Sequence, residues 1–268
     1  MFCISLEPNH YDFIKRLGYE PDGLGDKNFN NKWFRDNSGI NISRKNKNYG
    51  EYTYHYWIWK NYLDKLNDEW IGFCQYRKFW SLEKQLKENI NLNNLKDNTL
   101  KEIPKKFEEY DSILGEPIYI NKLRLMKYIK KGIKIIIKKP YLLVNKKKRN
   151  INFHFDLMHG ENNLRKAINL LDEKDKDDFL HFVNTETSFN PHNMFICKSK
   201  EQLKNYYEVI FPWLERCEKL FGFDFLQGYG KTRIYGFLAE RFMSYWFKKN
   251  TKYITMPIIF YDIKKNFN

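Results

Sequence analysis

The chain has 268 residues, 42% hydrophobic and 30% charged, which is enough to bury a core without disulfides or a structural metal and too apolar for general disorder. Aromatic residues reach 18%, and 47 Lys+Arg against 33 Asp+Glu leave a formal charge of +14. That balance admits nucleic acid, an anionic membrane surface or a phosphorylated substrate as partner, and composition does not choose among them.

Met1 to Pro8 has neither the basic start nor the long apolar stretch of a secretory signal. Tyr19 to Asn48 is polar, with turn signals at Asp22-Gly23 and Ser38-Gly39, and reads as a long ordered loop anchored by Trp33, Phe34 and Ile40. Glu51 to Leu66 has a helical stripe of Tyr52, His55, Tyr56, Trp59 and Leu63, with Lys60 and Asp64 off it. Trp70 to Tyr76 is a short apolar run that reads as a buried strand and ends on Arg77 and Lys78. Residues 82 to 109 are charged and helical or irregular, and Tyr110 to Ile113 is a second short strand closing at Gly115-Glu116-Pro117.

From 122 to 150 runs a basic segment with an apolar stripe, the place for an inserted helical or mobile element; its run Ile133 to Ile137 is too short to span a bilayer. Beyond it the pattern predicts helices over Asn162 to Leu171, Lys174 to Val183, Glu201 to Leu220 and Thr232 to Lys249, and strands over Asn193 to Cys197 and Tyr253 to Tyr261. Strands alternating with helices predict α/β layering around a mostly parallel sheet, as a single domain spanning 1–268.

Dinucleotide-binding and P-loop fingerprints are absent, and Cys3, Cys74, Cys197 and Cys217 form no CxxC. His154 and His159 are five apart, a spacing that does not align two zinc ligands on a helix. The segment from Asn41 through Ser43, Lys45 and Asn46 is dense in amides, hydroxyls and cations just before a helix; it reads equally as an anion site and as ordinary capping. Arg77, beyond a buried strand, is either a fork for a diphosphate or a surface arginine. His154, Asp156 and His159 suit hydroxyl binding or proton transfer, with core packing the commoner outcome. Glu240-Arg241 is an ionic pair amid apolar residues, structural or chemical.

Taken together, Asn41-Ile-Ser-Arg-Lys-Asn, Gly50-Glu-Tyr-Thr, His55-Tyr-Trp-Ile-Trp-Lys-Asn61, Ile71-Gly-Phe-Cys-Gln-Tyr-Arg-Lys-Phe79, Asn193-Met-Phe-Ile and Gly236-Phe-Leu-Ala-Glu-Arg241 resemble a family of bacterial capsular and exopolysaccharide glycosyltransferases. It was long filed as a domain of unknown function, and some members are assigned as galactofuranosyltransferases. The resemblance implies a GT-A-like α/β domain that uses a nucleotide-activated sugar, a UDP-sugar, and an oligosaccharide or lipid-linked acceptor. Many such enzymes hold Mg²⁺ or Mn²⁺ on an Asp-x-Asp at a strand end. Here that place reads Gln75-Tyr76-Arg77, with Gln75 where the family usually has His.

The expectation is therefore no required metal and a donor site of Asn41, Ser43, Lys45, Asn46, Lys60, Tyr76, Arg77, Asn193 and Arg241. Glu240, Asp156, His154 and His159 are the candidate bases, unranked; a retaining transfer would need none. Two rival readings stay open. One is a basic nucleic-acid-binding protein, disfavoured because the aromatics concentrate in apolar runs. The other is a non-catalytic scaffold for polysaccharide assembly, in which Lys122 to Lys148 contacts anionic lipid. The expected location is the cytoplasm, peripheral on the inner face of the membrane.

Overall fold

A computed structural model describes residues 1–67, 69–83, 92–122, 137, 140, 141, 145–224 and 226–261. Most of the expected basic insertion, 122–150, lies outside them.

The strands are β1 (Phe2–Ser5), β2 (Glu20–Gly23), β3 (Phe34–Arg35), β4 (Ile71–Gln75), β5 (Lys78–Trp80), β6 (Ser112–Gly115), β7 (Ile118–Tyr119), β8 (Ser188–Phe189), β9 (Phe195–Cys197), β10 (Tyr253–Met256) and β11 (Ile258–Phe260). The central sheet runs β10-β6-β9-β4-β1-β2-β3, with β7 and β8 as a separate ribbon. Along that path β9 alone runs against its neighbours, so the sheet is mixed and mostly parallel, flanked by helices. β5 and β11 extend it as an antiparallel flap beyond the end of β4.

Period-two alternation gives the sheet two cores. Phe2, Ile4, Ile71, Phe73, Phe195 and Leu114 face one side, where the helices Tyr52–Trp57, Ile151–His159, Lys200–Phe221 and Ile234–Asn250 pack. Cys3, Cys74, Ile113, Met194 and Ile196 face the other, under the helix Tyr11–Arg16 and Leu95, Leu100 and Phe107. Burial on both faces is the condition under which parallel strands read as continuous apolar runs. The four cysteines are buried and unbridged. No described helix is long and apolar enough to cross a membrane.

Three sequence expectations are corrected. Tyr19 to Asn48 is not a long loop: it holds β2, β3, a 3-10 turn (Ser43–Lys45) and the short helix Asn46–Tyr49. The dipeptide Asp22-Gly23 ends a strand although Pro21 stands within it. The Glu20 and Leu24 amides donate to the Met1 and Ser5 carbonyls of β1, so Pro21 faces the opposite edge. There β3 pairs only Asp22 and Gly23, and the missing N–H costs no ladder bond. The stretch Glu51 to Leu66 is three turns of different pitch, α over Tyr52–Trp57, π over Ile58–Tyr62 and 3-10 over Leu63–Lys65. Tyr253 to Tyr261 is two strands, since Pro257 cannot donate; β10 pairs with β6, and β11 turns away to pair with β5.

Candidate active site

β1, β2, β3 and β4 run parallel and end on one edge of the sheet, the edge where open α/β folds bind ligands. Three hollows lie along it in series. Beyond β4 is a cleft of about 450 Å³ lined by Gln75, Tyr76, Arg77, Lys78, Asn193 and Glu240, among others. A small hollow of about 60 Å³, lined by Leu24, Asn46 and Gly50, shares Glu51, Gln75, Tyr76 and Arg233 with it. Beyond β2 and β3 lies a hollow of about 950 Å³ lined by Arg35, Asn41, Ser43, Arg44 and Lys45.

The cleft is organised around Gln75, the last residue of β4. Its Nε2 donates to Glu51 Oε1 at 3.0 Å and to the His192 carbonyl at 2.6 Å, and its Oε1 accepts from Lys78 Nζ at 2.9 Å. The His192 amide donates to Glu240 Oε1 at 2.6 Å, and Asn193 Nδ2 donates to the Gly236 carbonyl at 3.3 Å. His192 and Asn193 both hold left-handed backbone, with φ of 80° and 53°. Two adjacent non-glycine residues there are strained, a cost that surrounding structure sustains mostly at functional sites.

Cations and carboxylates alternate across the cleft. Arg233 pairs with Glu51 at 3.2 Å, and Arg241, 1% exposed, pairs with Glu240 while its guanidinium sits 3.9 Å over the Phe189 ring. Burial lowers the Lys78 pKa, with Arg233 and Arg77 adding to it and Glu51 and Glu240 opposing. The His192 imidazole is pushed down to about 3 by burial and by Lys78, so it is neutral at pH 7. Burial opposes the charge on Arg233, yet Glu51, Tyr229 and Glu240 hold its proton more tightly than usual.

The sequence-predicted residues divide into three groups. Tyr76, Arg77, Asn193 and Glu240 meet in the cleft, with Arg241 buried directly behind Glu240. Asn41, Ser43 and Lys45 line the largest hollow, and Asn46 the small one between. Lys45 there is committed to Glu218, at 2.7 and 2.8 Å. The rest stand apart. Lys60 is exposed, on the solvent side where the α-helical stripe already put it, with its ammonium 3.3 Å over the Trp59 ring. His159 is one layer back, its Nδ1 bonded to the Gly230 carbonyl and its ring 4.0 Å from that of Phe237, which lines the cleft. Asp156 accepts the Asn162 amide just past its helix, and His154 contacts Arg241 at 3.3 Å.

Glu51, Lys78, His192 and Arg233 were not among the predicted residues. Lys78 follows Arg77 at the same strand end, and Pro191-His192-Asn193 is a turn signal before β9, so both had a local cue. Glu51 stood inside the Gly50-Glu-Tyr-Thr block without being singled out, and nothing local marked Arg233, its partner 182 residues away.

Gly50 keeps that last pair in place. Its φ of 60° and ψ of −134° suit glycine, and a Cβ there would collide with the Arg233 guanidinium. Gly50→Ala is expected to destabilise by about 1–3 kcal/mol in urea unfolding. It should also displace Arg233 from Glu51, visible in a crystal structure of the variant.

Among the described residues, no three His, Cys, Asp or Glu side chains come together to hold a metal. The cleft's two carboxylates, Glu51 and Glu240, are each engaged by arginine. This donor set does not fit a protein-built metal cage.

The fold is shared with a solved structure: the apo structure of WbbM, a bifunctional glycosyltransferase, matches 97% of this chain with a TM-score of 0.67 at 18% identity. The chain spans 44% of that protein's length. Residues 9–251 match the family described as Domain of unknown function (DUF4422), and the chain belongs to that family. A comparison with curated proteins found no match.

Proposed function

We propose that the chain is a glycosyltransferase that moves a sugar from a UDP-sugar onto a growing capsular or surface polysaccharide or its lipid-linked precursor, in a galactofuranosyl-type transfer. The observation that carries this reading is the convergence of Arg77, Lys78, Arg233 and Glu240 in one cleft beyond the ends of parallel strands. The fold shared with WbbM supports it.

Breaking the bond from the anomeric carbon to the diphosphate leaves negative charge on the departing phosphate oxygens. Lys78 and Arg233 are part-buried cations held beside that position by Gln75 and Glu51, and Arg77 is an exposed one at the same cleft; partial desolvation strengthens the first two over solvated charges. Asn41, Ser43 and Asn46 are at hand for the nucleoside along the adjoining hollows. In an inverting transfer Glu240 takes the proton of the acceptor hydroxyl as it attacks. The His192 amide and Arg241 orient its carboxylate, and a carboxylate has further lone pairs for that hydroxyl. The cations do the work a divalent ion does elsewhere, so no metal is required.

A panel of UDP-sugars assayed for UDP release, with and without EDTA, tests the reading: turnover of at least one donor that survives EDTA is expected. Arg77→Ala should lower that turnover by about 10²-fold. Near-normal turnover by Arg77→Ala, or an absolute requirement for Mn²⁺, would overturn the metal-free assignment, and silence across the panel would overturn the enzyme.

A further inference from the structure

We propose that the mouth of the cleft beyond β4 is the acceptor subsite, with Tyr229 and Phe260 as the platforms on which the acceptor's terminal sugar ring rests. This rests on the glycosyl-transfer reading above.

Both rings line the cleft that contains Glu240, and they are 70% and 61% exposed. Single exposed apolar side chains are ordinary; two aromatic rings at the mouth of one cleft with a carboxylate are a constellation. Each is held without being covered. Tyr229 packs edge-to-face on Phe237 with centroids 5.8 Å apart and lies 5.7 Å from the Arg233 guanidinium. Phe260 packs edge-to-face on the His192 ring at 5.2 Å, with Lys78 Nζ 6.0 Å from its centroid. Neighbours that fix a ring while leaving it open to solvent lower the entropy lost when a ligand stacks on it.

A sugar ring has an apolar C–H face and a polar hydroxyl edge, so its binding site needs an aromatic surface next to hydrogen-bonding groups. The cleft mouth offers both, with Glu240 and Asn193 as the polar groups.

The opposite end of the series of hollows has other chemistry. Arg35, Arg44, Asn28 and Asn41 line the hollow beyond β2 and β3, with Lys27 and Lys45 there paired to Glu7 and Glu218, a polar set suited to the nucleoside end of a donor. Topology separates the two ends. Gln75 pairs with Ile4 of β1 on one edge and with Lys78 of β5 on the other, and Phe260 lies on β11, which pairs with β5. Phe260 therefore flanks β4 on the side away from the cationic hollow, and a donor laid along β1 to β3 would present its sugar toward it.

Saturation-transfer NMR with methyl glycosides of galactose, glucose, mannose, rhamnose and N-acetylglucosamine, run without nucleotide, tests the assignment. Transfer from protein aromatic protons to the C–H groups of at least one glycoside is expected. Tyr229→Leu and Phe260→Leu should each weaken that glycoside's binding by about threefold to tenfold, whereas Tyr229→Phe and Phe260→Trp should retain it, and UDP affinity should hold in the two Phe260 variants. Absence of transfer for the whole panel, or Leu variants that bind as tightly as the wild type, would overturn the subsite. Because no nucleotide is present, the two failures are distinguishable: silent UDP-sugars with glycoside binding intact sink the transferase and leave a sugar-binding site that is no acceptor subsite, and failure of glycoside binding sinks the subsite alone.

Discussion

Glu240→Gln is expected to lower kcat by about 10²- to 10⁴-fold, the range that general-base catalysis contributes, with a smaller change in donor affinity. The amide oxygen still accepts from the His192 amide, so the cleft keeps its shape, but it cannot take a proton. The substitution has a second consequence that must be separated from the first. Arg241 is buried and Glu240 is its ionic partner, so neutralising Glu240 leaves an uncompensated buried cation. Breaking such a pair costs roughly 3–5 kcal/mol, and the melting temperature should fall with kcat. Combining Glu240→Gln with Arg241→Gln removes both charges. Stability should recover in the pair while activity does not, because the two effects have different causes. Recovery of activity with stability would show that Glu240 serves only the fold, and the base would have to be sought elsewhere.

What the sequence revealed follows from how far each interaction reaches along the chain. β4 was legible because a strand buried on both faces is a continuous apolar run, and Trp70 to Tyr76 is one. The 22-residue helix Lys200–Phe221 was legible through its periodic apolar face despite Pro212 within it. β2 was hidden because Glu-Pro-Asp-Gly has turn chemistry; what makes it a strand is pairing with β1 and the Tyr54 hydroxyl, 32 residues away, donating to buried Asp22 at 2.5 Å. Glu240 was visible as a charge in an apolar block, yet the placement of its carboxylate depends on His192, 48 residues earlier. Lys60 fails differently: the stripe already put it outside the apolar face, and there it stays, while Trp59 and Leu63 of the same stripe pack inward. Aromatic clustering pointed correctly to the core, since Tyr52, Tyr54 and Trp57 are buried.

Asp36→Asn is expected to raise stability by about 1–3 kcal/mol at neutral pH and to leave it unchanged near pH 4. Asp36 follows β3, and both its carboxylate oxygens are buried without a hydrogen bond of good geometry. Burial raises its pKa to about 6, with Thr53 and Arg35 only partly opposing. A folded-state value above the unfolded one means that the folded protein binds this proton more tightly. The contribution is fully favourable below about pH 4 and is lost as pH rises through about 6, after which the fold carries a desolvated carboxylate. Asn does not titrate, so urea midpoints of variant and wild type should coincide at the acidic end, part between those values and stay parallel above. Equal midpoints at every pH would show that the acid is not held protonated by its surroundings. Arg35, next in the chain, lines the cationic hollow, and natural proteins keep destabilising groups mainly where function uses them. If the proposed transferase holds, a variant that gains stability at neutral pH while its KM for a UDP-sugar rises would show that this buried acid is retained for that hollow rather than for the fold.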